Sequence, residues 1–434
     1  MTPPPPIRRP GRRIVLGAAV GALGAGVAGC SSGPRDAAPA PTRTTPGPSA
    51  PGPAPEDLAV VTEVLTTRAG ALVAGDDGAF FGTVSRADPS TEDRQVAVFT
   101  AARALGVSRL VVDDVRLEAD PSALPGEAAL RATALWRYRI GDLDRADRTA
   151  SVAARLVRVD GRWLVVSEQP DGPGASPPWL ALSGLAVRST EHAVVAGTVD
   201  GPRLAEYAAI VDRAVPDLRR DWTRTPGRVL VLAPATQEEA DVLLGRDGGA
   251  ATEVGATTEG PTDTSGRATG DRVVLDPTAF GRLTRAGRDV VLTHELVHVA
   301  VRATVPGRTA AWLAEGYADH VGYRRADVAV DVLLAPLLAE VRAGRGPTDL
   351  PRLDSLEPSS GSIEVPYLGA WQAVELLVAR HGEARVRRLV IEGAATGTDA
   401  DAEAATDRAL GAVLGTDRST LVREWRAHLE ALAR

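Results

Sequence analysis

Three side chains that bind metals or move protons fall between positions 294 and 298. The surrounding stretch, 290–301, reads Val-Val-Leu-Thr-His-Glu-Leu-Val-His-Val-Ala-Val. Only Thr293, His294, Glu295 and His298 in it are polar. A segment apolar on most of its faces is a buried helix. Two imidazoles and a carboxylate on such a helix need partners, because an unpartnered buried polar group costs roughly 2–7 kcal/mol. His294 and His298 are i and i+4, so they sit one above the other on one face. That spacing lets both rings bind one metal ion. Glu295 is next to the first ring, within reach of a water on that metal.

Three of the six histidines lie between 294 and 320. After Pro306-Gly307 the chain reads Thr309-Ala-Ala-Trp-Leu-Ala-Glu-Gly-Tyr-Ala-Asp-His320, the pattern of a second short helix with Thr309 as its cap. A catalytic zinc takes three protein ligands and keeps a fourth place for water. Glu315 is the natural third ligand. It lies far enough beyond His298 for the chain to reverse and bring the second helix alongside the first. Asp319 is i+4 from Glu315 and so on the same face. There it is placed to hydrogen-bond the outer nitrogen of a metal-bound histidine and fix its tautomer. His320 points elsewhere on that helix and is left out of the ligand set. His192, His381 and His428 read as surface residues.

The order His-Glu-Leu-Val-His at 294–298, then Trp312-Leu-Ala-Glu-Gly-Tyr-Ala, resembles the gluzincin metallopeptidases, in particular the peptidase MA-like group. The resemblance implies that His294, His298 and Glu315 hold Zn2+ and that Glu295 is the general base. The Glu315–Asp319 pair is similar to the E-x-x-x-D pair of thermolysin-like enzymes. The interval between the motif and Glu315 is a few residues shorter than theirs, so the likeness supports the ligand set and not the same loop. The run from Tyr367 to Gly382 resembles the helix after the site in this group, where a Tyr near the helix start stabilises the tetrahedral oxyanion. Tyr367 takes that role by resemblance. The closing segment from Leu414 through Trp425 is also similar, so the likeness covers about 179–434.

The rest of the chain must carry and position this site. Its 434 residues suffice for two or three domains. The net charge is −7, and the positive charges are all Arg and scattered, which argues against nucleic-acid binding. Residues 1–29 read as a targeting segment. Arg8, Arg9, Arg12 and Arg13 form a charged start, and Ile14 to Ala28 form an apolar run too short to span a membrane as a helix. The segment ends Val27-Ala28-Gly29-Cys30, which resembles the lipobox of bacterial lipoproteins. That likeness implies cleavage before Cys30, lipid on Cys30, and attachment to the outer side of a bacterial cell membrane. Cys30 is the only cysteine, so no disulfide framework and no Cys-ligated zinc are expected. Residues 30–55 hold the lipidated Cys and a linker in which eight of the 25 residues after Cys30 are Pro. Such a segment cannot bury a core, and in extended polyproline form it spans up to ~80 Å at about 3.1 Å per residue.

The predicted fold class is α+β. Residues 56–170 read as a small α+β domain, with helices at 57–74 and 91–105 followed by strands at 109–118, 128–140, 149–159 and 162–168. This order resembles the cone-shaped domains of the nuclear-transport-factor superfamily, and a structural or docking role is expected. A Pro/Gly-rich linker, 170–178, leads to 179–434, expected to be a zincin-like catalytic domain with two motif helices and a small mixed sheet. Strand patterns fall at 185–199, 229–232, 252–258 and 273–276, and helices at 202–220, 236–244, 282–303 and 309–320. The expected function is a membrane-anchored zinc peptidase acting on an envelope or extracellular protein or peptide, the substrate lying along an edge strand near 252–258. A non-catalytic envelope lipoprotein using a zincin-like fold for binding is the rival. A narrower rival is a latent peptidase with the Gly/Thr-rich loop 245–270 over its cleft.

Overall fold

Residues 193–197 and 229–233 are wholly apolar runs of five residues, the pattern of strands buried on both faces. The computed structural model, which describes residues 14–16, 53–124, 127–172, 174–246, 254–324, 329–357 and 362–434, places both at the centre of a mixed sheet. In chain order the elements begin with strand β1 (Ile14–Leu16), helices α1 (Asp57–Ala74), α2 (Asp77–Phe81) and α3 (Pro89–Leu105), and strands β2 (Val107–Ala119), β3 (Ala129–Ile140), β4 (Arg148–Val159) and β5 (Arg162–Pro170). Then come α4 (Pro178–Ala181), β6 (Ala186–Ser189), β7 (Ala193–Gly197), α5 (Gly201–Asp221), β8 (Val229–Ala233), α6 (Gln237–Leu244), β9 (Ala256–Glu259) and β10 (Arg272–Leu275). The rest is helical: α7 (Arg285–Thr304), α8 (Ala311–Tyr323), α9 (Val330–Arg342), α10 (Glu364–His381), α11 (Glu383–Glu392), α12 (Asp399–Ala409) and α13 (Arg418–Leu432).

The molecule is therefore mixed α and β with two small sheets. Strands β2 to β5 form an antiparallel meander in sequence order. The second sheet runs β1-β9-β10-β8-β7-β6, with β7, β8 and β10 parallel and the flanking strands antiparallel. The strand expected within 252–258 is shorter and later, at Ala256–Glu259, and residues 247–253 lie outside the described residues.

Side-chain alternation divides the core. Val195, Val229, Val231, Val273 and Leu275 face one side of the second sheet, where they meet α5, α7, α8 and α10. Val194, Ala196, Leu230, Leu232 and Val274 face the other. There they pack with Trp136, Tyr138 and Val152 of the first sheet, α3, and Trp179 of α4. The first and second parts of the chain thus share one buried apolar cluster. A polar seam runs beside it. Arg148, at the start of β4, reaches Asp144 (2.8 Å), the carbonyl of Gly270 and Glu259 (3.5 Å). Arg272 of β10 bonds Glu259 and the carbonyls of Ser176 and Leu243. Arg145 reaches the Ala268 carbonyl (2.7 Å).

Among the described residues, no helix is long and apolar enough to cross a membrane. Cys30 and residues 17–52 lie outside the described residues.

Candidate metal centre

Helix α7 carries the two histidines. Thr284 caps its start, accepting from the Gly287 amide at 3.1 Å. From Val290 to Ala300 every residue of it is buried, so its ionisable groups have only protein to face. Helix α8 lies between α7 and α10 and supplies Glu315 and Asp319. Gly316 makes the close approach to α10 possible. A Cβ there would stand 2.3 Å from the Ala370 carbonyl oxygen and 2.8 Å from Val374 Cγ2. Thr309 does not cap α8 as the sequence predicts. The cap position is Ala310, whose amide is met instead by the Thr406 hydroxyl at 3.0 Å. Tertiary contact with α12 replaces the local cap.

The structure brings His294, His298 and Glu315 together. The two Nε2 atoms are 2.9 Å apart, and Glu315 Oε2 is 3.3 Å from His294 Nε2 and 3.6 Å from His298 Nε2. Among the described residues this is the one group of His, Cys, Asp or Glu side chains whose ligand atoms converge enough to hold a metal ion. The separations match the chemistry. Ligands at about 2.0–2.1 Å around a tetrahedral zinc stand about 3.3 Å from one another. Among the described residues Glu315 Oε2 is buried without a hydrogen-bond partner, and a metal ion would satisfy it. His294 presents Nε2 inward because its Nδ1–H donates to Asp319 Oδ1 at 2.9 Å, which fixes the tautomer.

Glu295 stands beside this trio. The Thr258 hydroxyl of β9 lies 2.6 Å from its Oε2 and 3.2 Å from its backbone carbonyl. Its Oε1 is buried and has no partner among the described residues. Tyr367, in the first turn of α10, is buried near the same carboxylates. All six side chains are shut from water, with none of these residues more than 3% exposed.

Electrostatics follow from that closure. Three buried carboxylates face two imidazoles, an excess of negative charge that a cation or bound protons must offset. Burial alone would lower the His294 imidazole, but Asp319 and Glu315 outweigh it and hold it at about 10. Burial would raise Glu315, yet the two imidazoles pull it down to about 2. Burial pushes the Glu295 carboxyl above the usual range, with the imidazoles and Thr258 opposing. The Tyr367 hydroxyl is driven well above its ordinary value by burial and then by Glu315, Asp319 and Glu295, so it keeps its proton as a donor.

The other histidines lie apart. His320 Nδ1 bonds Glu375 of α10 at 2.8 Å, and Trp371 Nε1 donates to the same oxygen. This ties α8 to α10 rather than lining the metal cluster. His192, His381 and His428 are half-buried rather than freely exposed; His192 Nδ1 bonds the Gly227 carbonyl at 2.9 Å. Sequence reasoning missed Thr258 as a partner of Glu295 and Glu375 as a partner of His320. Nothing in the local spacing marks either one.

No protein-family model matches the chain, and no curated protein matches it.

Proposed function

We propose that this chain is a zinc-dependent peptidase of gluzincin type with a zincin-like catalytic domain, held to the outer side of a bacterial cell membrane through lipid on Cys30. The observation that supports it above all is the convergence of His294, His298 and Glu315 with an unpartnered oxygen of Glu295 beside them. Zinc held by those three residues would supply a Lewis acid and a water acidified toward a pKa of about 7. Glu295 then takes the proton of the attacking water through Oε1 and passes it to the leaving amine. Tyr367, kept protonated, donates to the oxyanion of the tetrahedral intermediate. Asp319 holds His294 in the tautomer that binding needs. Cleavage before Cys30 would remove β1 and leave β9, beside α7, as the sheet edge on which an extended substrate fits. A segment of the chain itself, Ile14–Leu16, pairs antiparallel there, with Ile14 opposite Thr258.

The closure of the cluster favours a latent form of this enzyme as the second reading, because substrate reaches Glu295 only after a covering segment moves. Residues 247–253, within the loop suspected of covering the cleft, lie outside the described residues.

The test is metal content by mass spectrometry of the purified chain, alone and as His298→Ala, followed by hydrolysis of a fluorogenic peptide library with Glu295→Gln as the blank. The expected result is about one zinc per chain, lost in His298→Ala and kept in Glu295→Gln, with hydrolysis at least about a hundredfold weaker in the latter. Zinc with hydrolysis only after limited proteolysis identifies the latent form. A chain that takes up no zinc sinks the peptidase reading and leaves a tethered binding protein.

A further inference from the structure

We propose that Thr258 is a positioning residue that decides which oxygen of Glu295 acts as the base; this deepens, and rests on, the peptidase reading. The hydroxyl of Thr258 has one proton to give. The Glu295 carboxylate oxygen Oε2 lies at 2.6 Å and the Glu295 carbonyl at 3.2 Å, so the carboxylate takes it. The donor is rigid. Thr258 is buried on β9, its backbone set in register with Val273 of β10, and its branched Cβ restricts the side chain's rotation. Glu295 is the opposite, a long side chain with three rotatable bonds. Pinning Oε2 fixes the plane of its carboxylate.

The carboxylate has a second oxygen. Glu295 Oε1 is buried and, among the described residues, accepts from no group. A carboxylate held by fixed donors at both oxygens would serve structure alone. Here one oxygen meets a fixed donor, and the other is kept for a mobile one, which at this place is the water to be activated. A threonine present only to satisfy its own hydroxyl would be served by the backbone carbonyl and would leave the carboxylate free to turn. The strand that flanks the metal helix thus does two things. It offers an edge to an extended chain, and it aims the base.

The test compares the parent chain with Thr258→Val, which is similar in shape but has no hydroxyl, and Thr258→Ser, which keeps the hydroxyl. Zinc content is expected to stay at the parent level in both. With a fluorogenic peptide selected on the parent, kcat should fall about tenfold to a hundredfold in the valine variant with KM little changed. Serine should restore kcat to within a fewfold of the parent. Thr258→Ala repeats the measurement if the valine chain does not fold. A valine variant with parental kcat, or a serine variant as slow as the valine one, overturns the proposal. Crystal structures of the parent and the valine variant give the second readout, which needs no activity. The Glu295 carboxylate should turn away from its parental orientation, and an unchanged orientation overturns the proposal even where the parent hydrolyses nothing. Absence of hydrolysis in the parent, with Glu295 turning as expected, counts against the peptidase reading alone.

Discussion

At the scale of single residues, the candidate metal cluster depends on groups outside the trio of His294, His298 and Glu315. Asp319 is the clearest. Its carboxylate lies 2.9 Å from Nδ1 of His294, so the opposite nitrogen, Nε2, is the one turned inward. Asp319→Asn keeps the shape and removes the charge. Zinc affinity, measured by competition with a chelator, should fall about 10–100-fold; an unchanged affinity would show that packing alone orients the ring. Much of this cluster is legible in the sequence, because helical spacing puts His294 and His298 on one face and Glu315 and Asp319 on another. Thr258 is not legible. It is 37 residues from Glu295 on a strand of four residues, and only the folding of β9 against α7 joins them. The pairing of His320 with Glu375, 55 residues apart, is hidden for the same reason. Local periodicity names the residues on a face but not what that face will meet.

At the scale of elements, the site is an assembly of three helices and one strand whose spacing is set by small residues. Helix α8 can carry Glu315 to His294 and His298 because Gly316 lets the Ala370 carbonyl of α10 come close. The Gly316→Ala chain tests this. An alanine ordinarily gains helix stability of about 1 kcal/mol over glycine. Here its methyl group has to push α10 away, an overpacking cost of about 1–3 kcal/mol. The net expectation is a chain destabilised by up to about 2 kcal/mol in denaturant unfolding, with weaker zinc binding because Glu315 moves with α8. A variant more stable than the parent that binds zinc equally well would show that α8 and α10 have room to spare. The sequence marks helices at 282–303 and 309–320, which the structure has as α7 and α8. It does not mark the loss of the Thr309 cap, because the hydroxyl that replaces it comes from Thr406. A cap borrowed from another helix leaves no trace in the sequence around it.

At the scale of the whole molecule, the first part of the chain is built into the wall of the second. Arg148 is almost fully buried, and its guanidinium binds Asp144, Glu259 and the Gly270 carbonyl across the seam. Glu259 directly follows Thr258, so the seam ends one residue from the group that holds Glu295. Arg148→Met keeps the bulk and removes the charge, taking from Asp144 and Glu259 the guanidinium they share. Breaking a buried ion pair from one side costs about 3–5 kcal/mol, so the midpoint of denaturant unfolding should drop sharply; a midpoint within error of the parent's would make the seam incidental. The shared apolar cluster has a consequence in time as well as in space. A ribosome finishes residues 56–170 before it makes β7, β8 and β10. If a segment of this kind folds as it emerges, α1 and α3 cover Trp136, Tyr138 and Val152 only in part, and the share that belongs to the later strands stays exposed until they are made. A pause in elongation between 170 and 193 would then lengthen the exposure of an aggregation-prone surface.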